Sequence, residues 1–169
     1  MTTSLLADAF DHHAWANVRV IDACAALSQA QLERDVPGTF GPILETLRHL
    51  VGADTAYLTV LTAGRVSLIE EEAMGLAELR AEAVRNGASW TDYLATNPDP
   101  DAVVVRVRDD GSESQAPVGI RLAQALHHGT DHRSQVCTAL TILGVEPPGV
   151  DVWDMAFGQG RLVEVPPRA

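Results

Sequence analysis

The sequence predicts an all-α fold, a helical bundle with a small β-hairpin before the last helix. Hydrophobic residues make up 46% of the 169 residues and aromatic residues only 5%. Together with abundant alanine and leucine, this favours close-packed helices over sheets. Apolar residues also recur every three or four positions in long segments, the period of an amphipathic helix. The length predicts a single domain over residues 1–169.

The first two helices are predicted from their apolar stripes. One runs over about residues 4–26, and the other begins at Pro42 after a segment rich in proline and glycine and extends to about residue 63. Gly64 suits the C-terminal cap of the second helix. Three polar residues lie on these otherwise apolar stripes: His13, Asn17 and Asp54.

The second half of the chain changes period twice. A charged third helix is predicted over about residues 70–95. Residues 102–117 favour a β-hairpin, because a run of valines precedes the turn sequence Asp-Asp-Gly-Ser. The last long helix begins near Pro117 or Val118 and runs to Leu143, with Gly144 as its stop.

The C-terminal tail, residues 145–169, is predicted to be irregular, with Trp153 and Phe157 packed onto the bundle. Cys24 and Cys137 are far apart in sequence and lack the CxxC spacing of zinc knuckles and thioredoxins. We therefore expect two free, buried thiols.

The charge of the chain excludes some classes of partner. The formal net charge is -11, with 12 Lys and Arg against 23 Asp and Glu. Nucleic-acid binding depends on clustered basic residues, so we expect no nucleic-acid partner. No apolar run approaches the ~18 residues of a membrane span, and the N-terminus lacks the basic region of a signal peptide. We expect a cytoplasmic protein that does not bind membranes.

Two histidines of the last helix are candidate metal ligands. His128 and His132 are four residues apart, so both lie on the apolar face of the helix. Two imidazoles at this spacing can reach one ion at about 2.0–2.1 Å. The alternative is that each is an ordinary core histidine with a hydrogen-bond partner. His127 points to the opposite side and is expected to be exposed.

A third ligand must come from another helix, because catalytic zinc sites commonly have three protein ligands and a water. The sequence offers His12, His13 and His49. His13 lies on the apolar stripe of the first helix, and His49 lies on the flank of the stripe of the second. Periodicity alone slightly favours His13.

Three motifs resemble those of one family. Residues 128–135 read HGTDHRSQ and are similar to the HxxxHRxQ signature in the last helix of the DinB/YfiT-like family. The WANVR of residues 15–19 resembles the family's WANxR segment. The LRHL of residues 47–50, together with Asp54, resembles its second-helix histidine motif.

The resemblance implies a four-helix bundle with a three-histidine metal site. Carried over to this sequence, the ligands are His49, His128 and His132, and His13 is a candidate additional ligand. The same resemblance makes four polar residues candidates for supporting the ligands, although a capping or ordinary core role is equally compatible with the sequence. They are Asn17, Asp54, Arg133 and Gln135.

Three imidazoles with an open position suit zinc or nickel and a Lewis-acid role. Relatives in the resembled family include transferases that use low-molecular-weight thiols. We therefore expect a metal-dependent enzyme that activates a small thiol and transfers it to a small-molecule substrate. The alternatives are a metal-dependent hydrolase and a non-catalytic metal-binding stress-response module. Pairing into a homodimer through an exposed apolar face is compatible with the sequence.

Overall fold

A computed structural model describes residues 4–108, 110–165 and 167 of the chain. The all-α prediction, with a hairpin before the last helix, is confirmed. The long helices of the bundle are α1 (Leu5–Ala23), α3 (Ile43–Leu61), α4 (Leu76–Ala95) and α5 (Val118–Ile142). The smaller elements are α2 (Gln29–Leu32), a 3-10 turn (Glu71–Ala73), β1 (Val103–Val107), β2 (Glu113–Pro117) and α6 (Val152–Gly158).

Local capping explains where the first two long helices begin and end. The Ser4 hydroxyl accepts the backbone N–H of Ala7 at 3.1 Å, which fixes the start of α1. At the end of α3, Gly64 has φ +82° and its N–H donates to the Thr59 carbonyl at 2.8 Å. This left-handed cap is the role predicted for the glycine.

Helix α4 starts later than predicted. The predicted start was residue 70, but the helix begins at Leu76. The N–H of Gly75 donates to the Glu78 carboxylate at 2.7 Å, so that the capping interaction defines the boundary. The apolar period alone did not reveal this boundary.

The prediction for the C-terminal tail is wrong in two respects. Residues 152–158 form α6, with Asp151 as its N-cap. Trp153 and Phe157 are 66% and 64% exposed, so they do not pack onto the bundle, whereas Met155 is buried. A helix as short as α6 buries only one narrow face, and in α6 that face carries Met155.

The core consists of two apolar clusters separated by a layer of buried polar residues. One cluster includes Val20, Val51 and Val136, and the other includes Phe10, Leu58 and Ala125. The polar layer lies between them along the helices and contains His13, Asn17, Asp54, Asn86 and Arg133. None of the described helices is long and apolar enough to cross a membrane.

Candidate metal centre

Three imidazole rings converge between α3 and α5. His128 and His132 lie one turn apart on α5, and His49 faces them from α3. The Nε2 atoms of His49 and His128 are 3.1 Å apart. The candidate ligand nitrogens of all three rings lie within 4.8 Å of one another. The structure thus brings together the three histidines to which the resemblance pointed.

The spacing of these nitrogens fits a divalent ion. Nitrogens bound at about 2.0–2.1 Å to a tetrahedral ion are about 3.3–3.4 Å apart. The 3.1 Å pair is slightly closer than that, and a nitrogen at the 4.8 Å limit would have to approach by about 1.4 Å, which side-chain rotation can supply. Three neutral imidazoles are a donor set typical of zinc and nickel sites.

The electrostatics of the cluster favour the neutral form of two of its rings, His128 and His132. Burial lowers the pKa of His128 to about 4, and the adjacent His132 and His49 rings lower it as well. Burial and the His49 ring also lower the pKa of His132. Because a metal binds the unprotonated ring, these shifts leave lone pairs available at neutral pH.

Gln135 orients one of the three rings. Its Oε1 lies 3.3 Å from Nδ1 of His132, so the Nδ1–H donates to the amide oxygen and Nε2 remains the free ligand atom. The same oxygen accepts the backbone N–H of Phe40 at 2.9 Å. The Phe40 ring stacks on His49 with centroids 4.4 Å apart and meets His132 edge-on. Gln135 therefore links the loop before α3 to the histidine cluster.

Replacing Gln135 with alanine is expected to weaken metal binding by about 10- to 100-fold, because the His132 ring loses the partner that fixes its tautomer. Competition with a chromophoric chelator measures the affinity. Ser134→Ala, a change at the exposed neighbouring position, serves as the control. An unchanged affinity in Gln135→Ala would show that the amide has no role in the centre.

A cavity of about 600 Å³ adjoins the cluster. Phe40 and His49 form part of its wall, so one face of the histidine cluster borders a space large enough for a small molecule. Charged side chains form much of the remaining wall: Glu33, Glu45, Arg48, Glu71 and Glu72.

A comparison with protein-family models matches residues 1–165 to the DinB family. The chain belongs to the DinB family. The curated proteins compared with this DinB chain gave no match. The family assignment inferred from the three sequence motifs is thus confirmed.

In this DinB protein His13 does not join the cluster, and the structure places it in the buried polar layer. Its Nε2 lies 3.0 Å from Asp54 Oδ1, and its Nδ1 lies 3.3 Å from Nη1 of Arg133. Trp90 Nε1–H donates to the same Asp54 oxygen at 3.1 Å, and Arg133 donates to Asn17 Oδ1 at 2.7 Å. Since both ring nitrogens of His13 have other partners, the slight preference from periodicity for His13 as third ligand was wrong.

Arg133 and Asp54 therefore lie inside the bundle, where they connect helices. The network joins α1, α3, α4 and α5 through the Asp54 carboxylate, the Arg133 guanidinium and the imidazole ring between them. Gly129 makes room for this ring, because a Cβ there would lie 2.4 Å from Cε1 of His13. Steric fit therefore explains why the HGTDHRSQ segment has a glycine at position 129.

The remaining histidines and both cysteines lie outside the cluster. His12 Nε2 contacts the Val150 carbonyl at 2.8 Å, and His127 is exposed, as predicted. Cys24 is buried, Cys137 is partly buried, and both are free. Sequence reasoning missed Phe40, because an aromatic residue in a loop rich in glycine and proline carries no periodic signal.

Proposed function

We propose that this DinB protein is a metal-dependent enzyme that activates a small thiol and transfers the thiol to a small-molecule electrophile. One observation carries the proposal: three imidazoles, His49, His128 and His132, converge beside a cavity. In this proposal the three rings hold zinc or nickel. Within the described part of the chain, the cluster of possible metal-ligating side chains consists of these three histidines only. Three protein ligands are typical of catalytic sites, whereas structural sites usually have four.

The protein itself determines where such a reaction takes place. His49 belongs to the cluster and also borders the cavity, so a substrate in the cavity would lie beside one of the three rings that would hold the ion. Phe40 stacks on His49 and also lines the cavity, so it would contact a substrate bound there. A divalent ion held there would lower the pKa of a thiol or water occupying the fourth position.

The thiol has to come from solution. Cys24 lies in the apolar core and Cys137 lies on another face of α5, so neither is a member of the ligand group. In the proposed transfer the thiol loses its proton, its sulfur forms a bond to an electrophilic carbon, and the leaving group departs with the electron pair of the broken bond. The family resemblance supports a low-molecular-weight thiol as this substrate.

One observation favours hydrolysis as a second candidate. Carboxylates of Glu45, Glu71 and Glu72 line the cavity beside His49. A carboxylate at this place could accept a proton from an attacking water, which is general base catalysis. Hydrolysis requires no thiol, so the two candidates differ in what must be added to the protein.

A turnover screen tests the proposal and separates the candidates. The protein loaded with zinc or nickel is incubated with a chromogenic electrophile, with and without each of several cellular thiols. We expect turnover that requires both metal and thiol, and a chelated sample serves as the control. Turnover of ester or amide substrates without thiol would favour the hydrolase. Metal-dependent stabilisation without turnover of either kind would favour a non-catalytic metal-binding module.

A further inference from the structure

A second cavity lies between α1, α5 and the segment that follows α5. Its volume is about 570 Å³, within the range of about 300–1,000 Å³ typical of small-molecule sites. Apolar side chains of Ala9, Leu126, Val150 and Val152 form much of its wall. None of the three clustered histidines lines it. The cavity is therefore separate from the candidate metal centre.

Arg133 supplies a buried positive charge to the wall of this cavity. The residue is 4% exposed, and burial lowers the pKa of its guanidinium to about 10. None of its polar contacts is a carboxylate: Asn17 Oδ1 lies at 2.7 Å, His13 Nδ1 at 3.3 Å and Thr130 Oγ1 at 3.1 Å. Among residues 4–108, 110–165 and 167, no carboxylate forms an ion pair with it.

A buried cation without a direct counter-ion is costly, and proteins usually pair such charges. The carboxylate of the polar layer, Asp54, contacts the opposite side of the His13 ring from Arg133 and forms no ion pair with it. An anionic group that entered the cavity would supply the missing partner. Guanidinium groups recognise carboxylates well, because two of their N–H donors match two oxygens.

Other groups around the cavity restrict the ligand further. Asp151 also lines it, and its exposed carboxylate caps α6 by accepting the N–H of Asp154 at 2.9 Å. A fixed negative charge at this position disfavours a second anionic group on the ligand. The apolar wall then suits the remainder of the molecule, which is expected to be a hydrocarbon.

We propose that this cavity binds a small monocarboxylate with an apolar chain, its carboxylate directed at Arg133 and its chain along Leu126 and Val152. The site is independent of the proposed thiol transfer. Helix α5 would then contribute to two sites, with His132 in the candidate metal centre and the next residue, Arg133, in the carboxylate site.

Thiol labelling of the complete chain tests the proposal with octanoate as the probe. Cys137 lines the cavity and Cys24 is 0% exposed, so a chromogenic disulfide reagent reports on Cys137. Octanoate is expected to slow the labelling at about tenfold lower concentration than octan-1-ol, because only the acid can pair with the guanidinium. Octylamine is expected to give no more protection than the alcohol.

The labelling is run on the metal-loaded protein and again in a chelator, and calorimetry gives the affinity in both. Equal binding in the two conditions is expected. Binding that requires the metal, equal protection by acid and alcohol, or no binding at millimolar octanoate would each overturn the proposal.

Val152→Trp is the deciding variant, because Arg133 also connects α1 to α5 and its replacement could disturb folding. Val152 is exposed on the cavity wall, so an indole there can fill the cavity without entering the core. We expect octanoate to bind at least about tenfold more weakly to Val152→Trp. The matched control is Val163→Trp, an exposed valine outside the cavity wall. Unchanged octanoate binding in Val152→Trp would overturn the proposal.

Discussion

Replacing His128 with alanine is expected to abolish stoichiometric metal binding while leaving the helices folded. The Nε2 atoms of His128 and His49 lie 3.1 Å apart, so these two rings face each other across the centre. Without His128 only two imidazoles remain, one on each helix, and two ligands do not enclose an ion. The expected fall in affinity exceeds the roughly 100-fold cost of losing an outer partner of a ligand. Elemental analysis of the purified protein and chelator competition measure the loss.

His127→Ala provides a closely matched control. His127 is the adjacent residue on α5 and has the same side chain, but it is exposed and does not belong to the cluster. This variant is expected to keep its full metal content. Circular dichroism of both variants checks that the bundle remains helical. Full metal content in His128→Ala would refute the assignment of the centre.

Replacing Asp54 with alanine is expected to lower the free energy of unfolding by about 3–5 kcal/mol, the usual cost of breaking a buried charge arrangement. The change leaves two buried donors without an acceptor, Nε2–H of His13 and Nε1–H of Trp90. It also removes the carboxylate whose charge favours the cationic form of Arg133. Urea denaturation in a chelator measures the loss without any contribution from metal binding.

Asp92→Ala is the control for this experiment, since Asp92 is an exposed carboxylate on α4. A surface change of this kind alters stability by no more than about 0.5 kcal/mol. A double-mutant cycle with Asp54→Asn and Arg133→Met then measures the coupling free energy between these two side chains of the polar layer. The double variant is expected to be more stable than the sum of the single losses predicts. A loss below about 1 kcal/mol in Asp54→Ala would show that the layer contributes little.

The helices and the hairpin were predictable from the sequence because their signals are local. Apolar period, the cap at Gly64 and the valine run each depend on residues close to one another in the chain. The start of α4 and the presence of α6 were harder, since both depend on a side chain reaching a particular backbone N–H. In α4 this contact is between Glu78 and the N–H of Gly75.

The candidate centre was predictable only in part. The spacing of His128 and His132 places two rings on one face of any helix, but the third ring depends on how two helices pack. The helical period favoured His13, which lies on the apolar stripe of its helix, over His49, which lies on the flank of its stripe. The period identifies buried faces, and it does not show which buried histidine meets His128 and His132. What distinguishes them is the presence of other partners for His13, namely Asp54 and Arg133, and these contacts cross between helices.

The layer of polar side chains between the two apolar clusters bears on the alignment of the helices with one another. Aliphatic side chains can exchange neighbours at modest cost, so a core made only of them tolerates a helix displaced by one turn, about 5.4 Å. In this bundle, displacing α3 by one turn would separate Asp54 from His13. The Asp54 carboxylate would then lie among apolar side chains without a hydrogen-bond partner. We therefore expect the layer to hold α5 at one height beside α3, the height at which His49 meets its two counterparts.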